Sequence, residues 1–193
     1  MTAATPKGER RRRALVEAAV ELLADGGLEA VRHRAVAERA GLPLASTTYY
    51  FDSLDDLIAA AVEQEGRAEL AAGRARLDAL AAELRTADAV AELVLDLLLG
   101  RDSRDGGTEP VLLRYERLVG SPRRPYLAPL MRELTGELRQ LLHEILERSG
   151  RPVGPDRLTE LIFLVDGAVL NALIESDPDP RAAARRVLRS HLG

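Results

Sequence analysis

The 193-residue chain contains no cysteine. That single absence excludes disulfides, thiolate zinc sites, iron–sulfur clusters and cysteine nucleophiles. Tryptophan is also missing, and aromatic residues make up only 3% of the chain. Strands draw on aromatic and β-branched side chains, so this scarcity, set beside abundant alanine and leucine, predicts an all-α protein. The three histidines, His33, His143 and His191, lie far apart without metal-ligand spacing, and neither a metal nor a cofactor is expected. Long apolar runs are lacking too. The best candidate, 161–174, has 14 residues and includes Asp166 and Asn171, short of the ~20 that a spanning helix needs. Residues 1–13 are polar and basic, and Glu17, Glu21 and Asp25 interrupt the apolar stretch that follows, so no signal peptide is expected. The chain reads as a soluble, cytoplasmic protein. No Walker loop, zinc motif or Gly-x-Ser-x-Gly is present, and enzymatic activity is not expected.

What is there is an ordinary globular balance, 46% hydrophobic and 30% charged, at a length of one or two domains. The net charge of −4 hides an asymmetry. Lys7 and Arg10, Arg11, Arg12 and Arg13 face only Glu9, so the first 15 residues carry +4, while residues 53–193 carry −5. A basic head on an acidic body can bind a polyanion; equally it can be a solvated arm.

Periodicity reads as helix after helix, about nine in all, with no persuasive strand. Leu15, Ala18, Ala19, Leu22 and Leu23 mark one helical face, and Gly26-Gly27 ends it. A short helix over 32–40 buries Val36 and Ala37 and stops at Gly41. Leu42 plugs the turn, and a third helix spans 43–51. Ser53 caps a fourth, with Asp55 and Asp56 in its first turn, which continues through Leu77, Leu80 and Leu84. Thr86 caps a fifth; 101–109 is the most loop-like stretch; a long helix follows Pro129, another spans 156–175 and the last spans 181–192. The Arg181/Arg185/Arg189 row reads as a solvated face.

The first three helices have the lengths and the tight glycine turn of a helix-turn-helix. In the third, Thr47, Tyr50 and Phe51 share one side and Ala45, Thr48 and Tyr49 another, with Leu44 and Ser46 at the borders. With Tyr50 and Phe51 inward, short hydroxyls, a methyl and a phenol face outward. That chemistry suits a duplex: hydroxyls and phenols donate to phosphate oxygens, and small apolar groups meet a thymine methyl.

The segment 31–57, VRHRAVAERAGLPLASTTYYFDSLDDL, resembles the DNA-binding signature of the TetR-type (tetracycline-repressor-like) transcriptional regulators. The likeness covers about residues 10–60. It implies a helix-turn-helix DNA-binding domain over 1–52 and a helical ligand-binding and dimerisation domain over 53–193. By that resemblance Arg34 approaches the DNA, Leu44 and Ala45 face bases, and Ser46, Thr48 and Tyr49 meet the backbone or base edges. Ser53 opens a helix whose N-terminus can face a phosphate. Two departures stand out. Arg32 occupies the usual Ser/Thr cap position, and no cation stands near Asp52 or Leu54, which puts more weight on Arg34 and Arg10–Arg13.

The helix 161–174 is apolar nearly all round, which asks for neighbours on both sides, and an isologous homodimer is the commonest solution. The resemblance agrees, since TetR-type proteins pair through their last two large helices. Phe163, Leu164, Leu170 and Ile174, with Val187 and Leu188 of the last helix, are the expected interface. A twofold dimer then meets a palindromic operator in double-stranded DNA. The resemblance also implies a small-molecule effector that moves the fourth helix. Asp166 and Asn171 either make interhelical hydrogen bonds or line its pocket with Tyr115, Met131, His143 and Phe163. The competing function is an all-helical interaction or scaffold protein whose helix-turn-helix only packs.

Overall fold

The computed structural model describes residues 6–104 and 108–192, and among these there are nine α-helices and no strand. The first, α1 (Pro6–Ala30), opens on a proline, whose fixed φ suits a first helical turn. Lys7 and Arg10–Arg13 are thus helical, not a loose arm. The helical backbone breaks where expected. Gly27 adopts φ 67°, ψ −166°, a region essentially reserved for glycine.

Local chemistry closes α2 (His33–Arg39). Gly41, at φ 63°, lets the Gly41 N–H donate to Glu38 O at 3.1 Å and the Leu42 N–H to Ala37 O at 2.9 Å. This paired arrangement is a Schellman motif, and Leu42 supplies its apolar contact with the core. At the other end Arg32 provides no side-chain cap; its Nε donates instead to Glu29 O at 3.1 Å. α3 (Ala45–Tyr50) follows at once. α4 (Leu54–Asp78) begins with a reciprocal cap: the Asp56 N–H donates to Ser53 Oγ at 3.1 Å, and that hydroxyl donates to Asp56 Oδ2 at 2.8 Å.

The remaining helices are α5 (Ala87–Leu98), α6 (Glu109–Gly120), α7 (Ala128–Arg148), α8 (Pro155–Ile174) and α9 (Pro180–Leu192). Two compact units share them. The first holds the described residues up to Arg67 with Glu116–Met131, and the second holds Ala68–Tyr115 with Arg132 onward. In the first, Leu15, Ala19 and Leu23 of α1 pack with Val36, Phe51, Leu57 and Leu127. Arg117 pairs with Glu65, and Arg124 with Glu29, so residues 116–131 are held to α1 and α4 by charge as well as by Leu127.

In the second unit the core is formed by α5, α7, α8 and α9, with Leu77 of α4 and Val111 and Tyr115 of α6. Three expectations are corrected here. Leu80 and Leu84 were expected on α4, but the helix ends at Asp78; Glu83 and Arg85 instead donate their N–H groups to the carbonyls of Arg148 and Ser149, which leaves the Leu84 side chain exposed. The loop-like 101–109 contains a 3₁₀ turn, Arg101–Arg104, whose Ser103 is buried; 105–107 lie outside the described residues. Arg181, expected in solvent, is only 5% exposed. It meets Asp96 Oδ1 at 3.0 Å, Glu92 Oε2 at 2.6 Å and Ser103 Oγ at 2.8 Å, while Arg104 grips both Asp96 oxygens at 2.6 and 2.8 Å. A guanidinium that finds two carboxylates and a hydroxyl can leave water. Arg185 and Arg189 stay exposed.

Candidate nucleic-acid interface

The two sides of α3 have the chemistry that its spacing predicts. Thr47 and Phe51 are buried and Tyr50 is half-buried, all within the first unit's core. Thr47 also donates its hydroxyl to Leu44 O at 2.8 Å, which removes a polar group that burial would otherwise strand. On the other side Ala45 and Thr48 are exposed, Leu44 is 53% exposed and Tyr49 80% exposed. Large apolar side chains this open on a six-residue helix are not serving the chain's own core. Ser46 is half-buried between the two sides.

Cations flank this face within the same unit. Arg34 on α2 is exposed and forms no ion pair among the described residues. Arg10, Arg11, Arg12 and Arg13 are exposed on α1, and the Arg12 guanidinium lies 5.0 Å from the Phe51 ring centre. Arg39, a residue that sequence reading missed, orients α2: it bonds Glu21 Oε2 at 3.2 Å and Asp25 Oδ2 at 3.0 Å, both on α1. Nothing local signals those pairs. Ser53 is exposed, but its hydroxyl is committed to Asp56, and Asp52, Asp55 and Asp56 put carboxylates around that helix start.

The residues expected to line a ligand pocket are only partly gathered. Tyr115, buried on α6, donates its hydroxyl to Asp166 Oδ1 on α8 at 2.8 Å. Burial raises the Asp166 carboxyl above its ordinary range, against the Tyr115 hydroxyl and the positive charges of Arg114 and Arg139. Burial and the neighbouring Asp166 likewise push the Tyr115 phenol up. Asn171 donates to Gly167 O of its own helix at 2.9 Å. His143 lies 3.8 Å from Glu147 at the surface, Phe163 is exposed, and Met131 packs against the first unit's core. An apolar cavity of about 10 Å³ lies in the second unit among Val94, Leu98, Leu142, Leu158, Leu161 and Leu188, and none of the expected pocket residues lines it.

Of the expected interface residues, Phe163 is 64% and Ile174 78% exposed, Leu170 is exposed, and Leu164 and Val187 are half-buried. Leu188 is corrected: at 1% exposure it belongs to its own chain's core, beyond a partner's reach. Among the described residues, no helix is long and apolar enough to cross a membrane.

Comparison with known proteins carries the same architecture further. Residues 15–61 match the family described as bacterial regulatory proteins, tetR family, and residues 85–193 match the tetracyclin repressor-like C-terminal domain. The multidrug binding protein EbrR, solved with ethidium, is 30% identical over 95% of this chain and 98% of that one, with a TM-score of 0.65. A TetR-family member from Streptomyces coelicolor A3 is 28% identical over 95% of this chain and 98% of that one, with a TM-score of 0.60. A TetR transcription regulator from Haloarcula marismortui shares the fold at 19% identity, covering 95% of this chain and 97% of that one, with a TM-score of 0.69. Proteins of curated function gave no match.

A helix-turn-helix unit joined to a larger helical unit, with the outer face of its third helix left open, defines a DNA-binding transcriptional regulator. The chain belongs to the TetR family.

Proposed function

We propose that the chain is a ligand-responsive repressor that binds a palindromic operator as a homodimer in the cytoplasm. Residues 1–52 read the DNA, and 53–193 carry effector binding and dimerisation. The observation that carries this reading is the open face of Leu44, Ala45, Thr48 and Tyr49 on α3. Ser46 lies at its edge, and Arg34 and Arg10–Arg13 bring cations beside it, with Arg34, Arg10, Arg11 and Arg13 meeting phosphates and Arg12 held over the Phe51 ring. Ser53 serves mainly as the α4 cap, because neighbouring carboxylates oppose a phosphate there.

Phe163, Leu170 and Ile174, with Leu164 and Val187 beside them, form the surface where a second copy packs. Twofold pairing sets two α3 helices one duplex turn apart, about 34–36 Å or a multiple of it. For the effector, the Tyr115–Asp166 pair is a polar feature beside the second unit's apolar core, and His143, Phe163, Asn171 and Met131 are the further candidates. EbrR was solved with imidazole, proflavin, ethidium and malachite green, which supports a small organic effector here. Its effect is a population shift, requiring different affinities in the DNA-bound and released states.

The test is selection from random duplexes with the full chain, followed by sizing of the complex by light scattering. A twofold-symmetric consensus bound by two chains, and weakened by one of those compounds, is expected. Selection that yields no consensus at low salt, or a monomer on DNA, would overturn the reading.

A further inference from the structure

The outer face of α3 is built almost entirely from carbon. Leu44, Ala45, Thr48 and Tyr49 are the side chains that it exposes. From Ala40 to Phe51 there is no Asn, Gln, Asp, Glu, Lys, Arg or His. Those are the residue types that pair with base edges through two hydrogen bonds or a charge. The hydroxyls do not replace them. Thr48 Oγ1 donates to Ala45 O at 3.3 Å and Thr47 Oγ1 to Leu44 O at 2.8 Å, so each bonds its own helix. Ser46 is half-buried, and the Tyr49 phenol stands at the end of a long, open ring suited to the sugar–phosphate edge. What remains to meet bases is the Leu44 isobutyl group, the Ala45 methyl and the Thr48 γ-methyl.

The major groove offers one apolar group on an unmodified base edge, the C5-methyl of thymine. We propose that α3 reads its operator half-site chiefly through thymine methyls, with Leu44, Ala45 and the Thr48 methyl as the specificity-determining contacts. Tyr49 and the flanking arginines then supply affinity without sequence preference. This rests on the DNA-binding reading above and goes beyond it by naming the chemical feature that is read. A mis-sited cytosine is rejected because the apolar face leaves its amino group unpaired and meets no methyl.

The test starts from the selected operator and the unaltered protein. Each thymine of the half-site is replaced in turn by deoxyuridine, which keeps base pairing and removes only the methyl. At one or more positions affinity should fall about fourfold, the equivalent of about 0.8 kcal/mol for one buried methyl. At the same positions a 5-methylcytosine·guanine pair should bind better than cytosine·guanine. Leu44→Ala or Ala45→Gly should abolish the thymine/deoxyuridine difference at one position each, and both sites are exposed, so folding is spared. Thr48→Val, which keeps the methyl, should bind like the parent, and Thr48→Ser should bind worse. An operator indifferent to every methyl removal, or Thr48→Val weaker than Thr48→Ser, overturns this inference while the regulator reading stands. Failure to select any operator overturns both.

Discussion

The guanidinium of Arg12 lies 5.0 Å from the centre of the Phe51 ring, which joins the basic start of α1 to the residue that closes α3. Phe51 is buried below that contact, so Arg12 covers an aromatic of the helix-turn-helix core. A cation so placed is worth about 0.5–1 kcal/mol at an exposed site. The neighbouring Arg10, Arg11 and Arg13 have no such tie to a ring.

The four arginines should therefore differ. Replacing Arg10, Arg11 and Arg13 by alanine should flatten the plot of log affinity against log salt by about 2–3 per bound chain, near 0.9 per lost phosphate contact. Arg12→Ala alone should change that slope by less than about 0.5 and lower stability by about 0.5–1 kcal/mol. Salt titrations and urea unfolding separate the two effects. A full unit of slope lost with Arg12, at unchanged stability, contradicts this division.

Tyr49 meets Tyr50 edge-on, with ring centres 4.9 Å apart, yet remains widely exposed. Tyr49→Ala should weaken binding by a similar factor on a whole panel of single-base operator variants. Stability should stay within about 0.5 kcal/mol of the parent. Tyr49→Phe should recover part of the loss, since only the phenol's bond to phosphate is missing. Anisotropy titrations on the panel check this; a loss confined to one base pair would make Tyr49 a base reader.

Asp166 makes the C-terminal unit sensitive to pH in a definite direction. Burial raises its folded-state pKa, so its contribution is most favourable below the unfolded value of about 3.9 and is lost as pH rises through the raised folded value. Asp166→Asn keeps an acceptor for the Tyr115 hydroxyl and removes the buried charge. It should be at least as stable as the parent at pH 7 and lose that advantage at pH 4. Asp166→Ala should cost about 1–3 kcal/mol by stranding the Tyr115 hydroxyl. Urea unfolding of the three proteins at both pH values is the measurement.

The Asp96–Arg181 pair has the opposite sign. Burial alone would push the Asp96 carboxyl up, but Arg104 and Arg181 outweigh it and hold the carboxyl below its ordinary range. The stability that follows is present above about pH 3.9 and lost as pH falls through the depressed value. Arg181→Ala should destabilise by about 1.5–3 kcal/mol at pH 7, because a buried carboxylate loses one of its two guanidinium partners. Melting temperature followed from pH 7 to 2 should fall less steeply in this variant than in the parent.

Helices, turns and the two sides of α3 could be read from the sequence because their causes are local. Gly27 and Gly41 take conformations that other residues avoid, Ser53 and Thr86 bond the backbone three residues on, and Thr47 and Phe51 turn inward by spacing alone. Leu84 marks the limit of that logic. Its apolar spacing continued the helix pattern, but backbone pairing with 148–149 outcompeted another helical turn.

Composition, spacing and capping thus determined the helical class, the helix-turn-helix and the outward chemistry of α3, since each depends on neighbours within a few residues. Tertiary structure alone decided that Arg181 is buried, that Leu188 belongs to the core, that Tyr115 holds Asp166 and that Arg12 covers Phe51. Whether a charge leaves water or an apolar side chain stays in it depends on what distant parts of the chain place opposite, and no local pattern encodes that.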